Sequence, residues 1–105
     1  MSRSLEGRVV LVTGAAKRIG RGVALRLARE GARVGIHYSS SAEEARATAA
    51  ECGPDAALFR ADLEQVSEIE RLFGAVESHF GRLDGLVNNA ARFTPSTTAR
   101  RRFRR

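Results

Sequence analysis

The chain has 105 residues, enough for one domain with a modest core and too few for two. With 43% hydrophobic and 29% charged residues it reads as an ordinary globular chain, and no apolar run approaches the roughly 20 residues of a membrane span. The net charge of +6 does not mark a nucleic-acid-binding body: Arg100, Arg101, Arg102, Arg104 and Arg105 carry five of the basic residues, and elsewhere 13 basic residues face 12 acidic ones.

In chain order, Met1 to Gly7 is a polar lead-in with no apolar signal-peptide core, which predicts a cytoplasmic protein. Arg8 to Val12 is a first strand, and its run Val9 to Val12 is continuously apolar, as when both faces of a strand are buried. Thr13 and Gly14 turn the chain. Ile19, Val23 and Leu27 then recur at four-residue spacing, predicting a helix from Ile19 to Glu30 that stops at Gly31. Arg33 to Tyr38 is a second strand, with Val34, Ile36 and Tyr38 alternating with Gly35 and His37. Ser41 and Glu44 have capping-box spacing ahead of a helix over Ala42 to Cys52, which Gly53-Pro54-Asp55 breaks. Ala56 to Ala61 is a third strand. The next helix carries Ile69, Leu72, Phe73, Val76 and Phe80 on one face and closes at Gly81, and Leu83 to Asn88 is a fourth strand. Cys52 has no partner for a disulfide or a metal site and reads as a small buried hydrophobe.

Strands alternating with helices imply an α/β fold with a parallel sheet and right-handed crossovers. The expected strand order, 3-2-1-4, reverses between strands 1 and 4 and brings Gly14 and Asn88 to the lip of the crevice where such sheets bind ligands. A helix starting directly after a glycine turn aims unpaired N–H groups and its positive dipole end at an anion, most often a phosphate. Gly14 permits close backbone approach, Gly20 lets the helix pack on its strand, and Lys17 and Arg18 add two cations at the mouth. NAD-binding sheets place a carboxylate at the end of the second strand. Here that position is Tyr38, flanked by His37 and by Ser39, Ser40 and Ser41, so nothing repels a 2′-phosphate and NADP(H) is the expected cofactor.

The loop Thr13-Gly14-Ala15-Ala16-Lys17-Arg18-Ile19-Gly20 resembles the TGxxxGxG cofactor loop of the short-chain dehydrogenases/reductases, with Arg18 in place of the middle glycine. The form TGxxxRxG resembles the pteridine-reductase branch, which uses NADPH, and Asn88-Asn89-Ala90-Ala91 is similar to the family's NNAG. Over Leu5 to Pro95 the resemblance implies a Rossmann-type doubly wound sheet, truncated to about four strands, as a partial NADP-binding domain over residues 1–95. It implies that Gly14, Lys17, Arg18, Ile19 and Gly20 cradle the cofactor, and that Arg18, His37 and Ser41 line the phosphate side with Tyr38 and Ser39 beside them. It further implies that Asp62 lies beside the adenine amino group, that Leu63 shapes the adenine pocket, that Asn88 holds the central sheet, and that Asn89 and Ala90 border the adenosine ribose. From the residues alone, Asp62 also reads as a loop cap and His37 as a surface strand residue. Phe93, in Arg92-Phe93-Thr94-Pro95, resembles the aromatic that stacks on a pterin, with Ala91 where a substrate-facing serine is usual; a packed loop phenylalanine is the other reading.

Hydride transfer in that family relies on a proton-donating tyrosine, a lysine that lowers its pKa and a serine that orients the carbonyl. The single tyrosine is Tyr38 and the single lysine Lys17, both in the cofactor segments, so no catalytic residue is assigned and no turnover is expected of these 105 residues by themselves. Residues 96–105 lack periodicity and read as a solvated Arg-rich tail. The chain thus reads as the cofactor-binding part of a reductase for a small carbonyl or pterin-like substrate, with no metal and no membrane partner. The alternative is a non-catalytic protein that binds NADP(H), or nucleic acid through the tail.

Overall fold

The computed structural model describes residues 4–89. Strands and helices alternate throughout: β1 (Val9–Val12), α1 (Arg18–Arg29), β2 (Arg33–Tyr38), α2 (Ala42–Cys52), β3 (Ala57–Arg60), α3 (Val66–Phe80) and β4 (Gly85–Val87). The four strands form one sheet in the order β3-β2-β1-β4. Every pairing is parallel, as helical crossovers require. β1 is central, with Leu11 opposite Gly35 of β2 and Leu86 of β4.

The apolar run of β1 explains why both faces must be covered. The pleat sends Val10 and Val12 to one side, where they pack with Val34, Ile36, Ala24 and Ala45 beneath α1 and α2. Val9 and Leu11 point to the other side and meet Leu72 and Val76 of α3, with Phe59, Phe73 and Phe80 around them. Alanines at the helix contacts let α1 and α2 lie close to the sheet. At the opposite end of β1, the Asp84 carboxylate accepts the Val9 N–H at 2.8 Å, while the Val9 carbonyl accepts the Asp84 N–H at 2.8 Å. The Arg82 guanidinium beside it holds the Asp84 carboxyl below the ordinary carboxylate range, helped by that N–H. Gly31 and Gly81 stop α1 and α3 with φ of +101° and +84°, a region open to glycine at little cost.

Three expectations change. Ile19 does not join the packed face of α1: it is 73% exposed, because the first turn projects past the sheet at the crevice, whereas Val23 and Leu27 do pack. The Ser41–Glu44 capping box does not form. Ser41 has φ −90° and ψ 64°, away from the extended backbone that lets a capping hydroxyl reach back, and α2 instead starts with the Ala45 N–H on the Ser41 carbonyl at 2.9 Å. β2 keeps its predicted bounds, whereas the other three strands shorten at their ends, β4 most of all, to Gly85–Val87. Cys52 is half-buried, and burial pushes its thiol pKa up, as for an inert side chain. No helix among the described residues is long and apolar enough to cross a membrane.

The packing predicts an asymmetric response to truncation. Leu72→Ala, at a site 3% exposed, should cost about 2–5 kcal/mol in urea denaturation, whereas Leu86→Ala, at a site 48% exposed, should cost less than about 1 kcal/mol.

Candidate functional site

The turn between β1 and α1 lies at the switch point of the sheet, and its backbone is fastened from three sides. From β2, the His37 ring Nδ1 accepts the Gly14 N–H at 3.0 Å and the His37 carbonyl accepts the Ala15 N–H at 3.0 Å. From α2, the Thr48 hydroxyl donates to the Ala16 carbonyl at 3.0 Å and itself accepts from Arg21 Nη1 at 3.1 Å; Arg21 is also paired with Glu51. From the end of β4, Asn89 Nδ2 donates to the Gly14 carbonyl at 3.3 Å. The Thr13 hydroxyl completes the lock, accepting the Asn89 N–H at 2.8 Å and lying 3.1 Å from Asn88 Oδ1. Asn88 thereby ties β4 to the end of β1, the sheet-holding part that the sequence resemblance implies.

Fastening the turn inward directs the start of α1 outward. Lys17, Arg18 and Ile19 are exposed, and the first intrahelical bond is that of the Arg21 N–H on the Lys17 carbonyl. No acidic residue lies in the first turn and no side chain caps it. The N–H groups ahead of that bond and the helix dipole therefore combine with two cations into a positively charged mouth, suited to phosphate oxygens. Gly20 sits directly under the turn. A Cβ there would overlap the Gly14 carbonyl oxygen and lie 2.5 Å from Asn89 Nδ2, so only glycine permits this closeness. Arg18 stands with φ +61°, left-handed backbone that an L side chain adopts at a cost.

The remaining predicted residues fall around this mouth. Tyr38 and Ser41 are half-buried and Ser39 exposed, all at the carboxyl end of β2 beside the turn. His37 takes a place that neither sequence reading gave it: it is 2% exposed, with Nε2 3.0 Å from the Ala61 carbonyl and Nδ1 on Gly14, and burial lowers its pKa. Asp62 Oδ1 accepts the Glu64 N–H at 3.0 Å, closing the loop into α3. Leu63 joins Thr13, Ile69, Phe73, Leu86 and Asn88 around an apolar cavity of about 330 Å³. Ala90 and Phe93 lie outside the described residues.

Sequence reasoning missed Thr13 and Thr48 as site residues. Both are buried hydroxyls, at 5% and 0% exposure, on otherwise apolar faces. A threonine ending a buried strand, or sitting three residues after Ala45 on the inner side of a helix, must find partners, and that requirement was the available signal. The Arg18 backbone supports a paired prediction. Arg18→Gly should leave stability equal or raise it by up to about 1 kcal/mol in urea denaturation, since relief of the left-handed cost outweighs the entropy of glycine. Gly20→Ala should lower stability by about 1–3 kcal/mol through overpacking.

Comparison with known proteins places this geometry. Hydroxynaphthalene reductase-like protein Arp2 of Metarhizium robertsii is 45% identical over 91 residues, covering 84% of this chain and 34% of that protein. A Burkholderia cenocepacia protein described as a dehydrogenase, solved with bound NADP, superposes with a TM-score of 0.77 at 39% identity over 84% of this chain and 36% of its own. The 3-ketoacyl-(acyl-carrier-protein) reductase of Brucella melitensis, complexed with NADH, gives a TM-score of 0.73 at 38% identity over 78% of this chain and 33% of its own. The chain spans about a third of the length of the curated relatives it matches. The model of the short chain dehydrogenase family matches residues 8–103, and with the glycine turn at the switch point of a 3-2-1-4 sheet, this chain belongs to that family.

Proposed function

We propose that this chain holds NADP(H) for a short-chain reductase that transfers hydride to the carbonyl of a small ketone. The observation that carries the cofactor choice is the pairing of an acid-free, cationic start of α1 with a carboxylate-free end of β2. Arg18 and Lys17 stand exposed on one side, and Tyr38, Ser39 and Ser41 on the other offer hydroxyls where a carboxylate would favour NAD. Structural relatives hold NADP in one case and NADH in another, so the discrimination belongs to these residues. In this reading Gly14, Ile19 and Gly20 shape the pyrophosphate cradle, Arg18 and Ser41 meet the 2′-phosphate, Asp62 accepts the adenine amino group beside Leu63, and Asn89 and Ala90 border the ribose.

When bound, the nicotinamide supplies the hydride. The contribution of these residues is positional: a turn fastened on three sides and a helix dipole fix the phosphates, and thereby the reach of the dinucleotide along the crevice. Proton donation to the nascent alkoxide is assigned to residues outside these 105, because Tyr38 and Lys17 both belong to the cofactor side. For the substrate, a ketone is preferred to a pterin. Relatives carry the names hydroxynaphthalene reductase-like protein and 3-ketoacyl-(acyl-carrier-protein) reductase.

Calorimetric titration at pH 7.5 should show NADP+ bound at least about tenfold more tightly than NAD+, the effect of one charge-assisted contact, and Arg18→Ala should remove most of that preference. Absence of binding, or a preference for NAD+, would contradict the reading.

A further inference from the structure

His37 is the one buried imidazole among the described residues, and its two ring nitrogens face chemically opposite partners. Nδ1 lies 3.0 Å from the Gly14 N–H, which can only donate, and Nε2 lies 3.0 Å from the Ala61 carbonyl, which can only accept. One protonation state satisfies both: the neutral ring with its proton on Nε2. A second proton would set an Nδ1–H against the Gly14 N–H inside a site that is 2% exposed. The same residue accepts the Ala15 N–H through its carbonyl, so two successive N–H groups of the turn depend on it. Gly14 in turn presses its carbonyl against Gly20 at the start of α1, which couples any displacement of the turn to the phosphate-facing end of the helix.

We propose that His37 is a positioning residue for the cofactor: as the neutral Nε2–H tautomer it holds Gly14, and with it the phosphate cradle, and protonation of the ring weakens NADP(H) binding. This rests on the NADP(H) reading above. A histidine touching the phosphates directly would act in the opposite sense, since the imidazolium would bind them more tightly. The titratable groups on the surrounding elements include Tyr38 on β2, Lys17 and Arg18 on the turn and α1, Arg60 and Asp62 at the end of β3, and Glu68, Arg71 and His79 on α3, the last packed on Phe59 of β3; the Asn88 and Asn89 side chains after β4 are neutral. Burial lowers the pKa of His37, and the Ala61 carbonyl opposes that shift in part. The unfolded chain therefore takes up the proton first. Stability from the neutral ring is complete above about pH 6.5, the ordinary histidine value, and declines as pH falls from there toward the lowered folded value.

The test is calorimetric titration of the 105-residue chain with NADP+ at pH 7.5 and pH 5.5, for wild type, His37→Asn and His37→Phe. Asparagine keeps an acceptor near the Nδ1 position, and phenylalanine keeps a ring without one. At pH 7.5, His37→Phe should bind about tenfold more weakly and His37→Asn within about threefold of wild type, the cost of leaving the Gly14 donor unpaired. Between pH 7.5 and 5.5, wild type should lose more affinity than His37→Asn; the 2′-phosphate titrates near pH 6 in both, so the difference isolates the imidazole. Wild-type affinity in His37→Phe, or a wild type that gains affinity relative to His37→Asn on acidification, would overturn the positioning role while leaving NADP(H) binding intact. A wild type that binds no NADP+ at either pH would overturn both readings. Should His37→Phe fail to fold, nitrogen chemical shifts of the wild-type ring decide: an unprotonated Nδ1 at pH 7.5 supports the proposal, and an Nδ1–H tautomer refutes it.

Discussion

A turn folded inward at the switch point of a sheet cannot be held by solvent, because every N–H and carbonyl directed inward needs a partner of its own. In this chain that requirement falls on the Gly14 carbonyl more than on any other atom. It lies so close to Gly20 that no Cβ fits, and it accepts from Asn89 on the far side of the crevice. Strand, helix and the segment after β4 therefore meet at one oxygen. The remaining partners of the turn follow from this closeness: once Gly14 is drawn down onto α1, its N–H and that of Ala15 face β2, and the Ala16 carbonyl faces Thr48 on α2.

Charge and strain at the mouth have one origin. The residue that follows Lys17 needs left-handed backbone to start the helix from this turn, and the chain places arginine there rather than glycine. The conformational cost is of order 1–2 kcal/mol, within the range that functional positions sustain elsewhere in proteins. In return, the guanidinium stands exposed at the start of α1. Backbone strain and positive charge are thus carried by the same residue.

The fold was legible because burial on both faces of β1 and the helical period of α3 are visible in residue order. Val9 to Val12 announces a central strand, and Leu72 and Val76 occupy the face their spacing indicates. Parallel order then follows from alternation of strands and helices alone. What escaped was everything that depends on which neighbour a side chain meets. His37 alternates with apolar residues like any strand polar group, and nothing in its spacing reveals that Gly14 and Ala61 enclose it. Thr48 lies in a helix rich in alanine, and its hydroxyl acquires meaning only when α2 packs against the turn. Ile19 fits the period of α1 yet lies beyond the edge of the sheet that would bury it. Period predicts which way a residue points relative to its own element; it does not say where the partner element ends.

β4 is three residues long and pairs only with β1, so in the described structure it is an edge, with Leu86 half in solvent. Yet the residues that follow it, Asn88 and Asn89, close the turn through Thr13 and Gly14. The order of the β1–α1 turn is consequently coupled to the local opening of this short strand, a sub-global equilibrium, and not only to the stability of the whole sheet. Amides of β1 and β2 report the core, whereas the N–H of Asn89 reports whether the turn is locked. Any contact that covers the edge of β4 would order the turn without touching it.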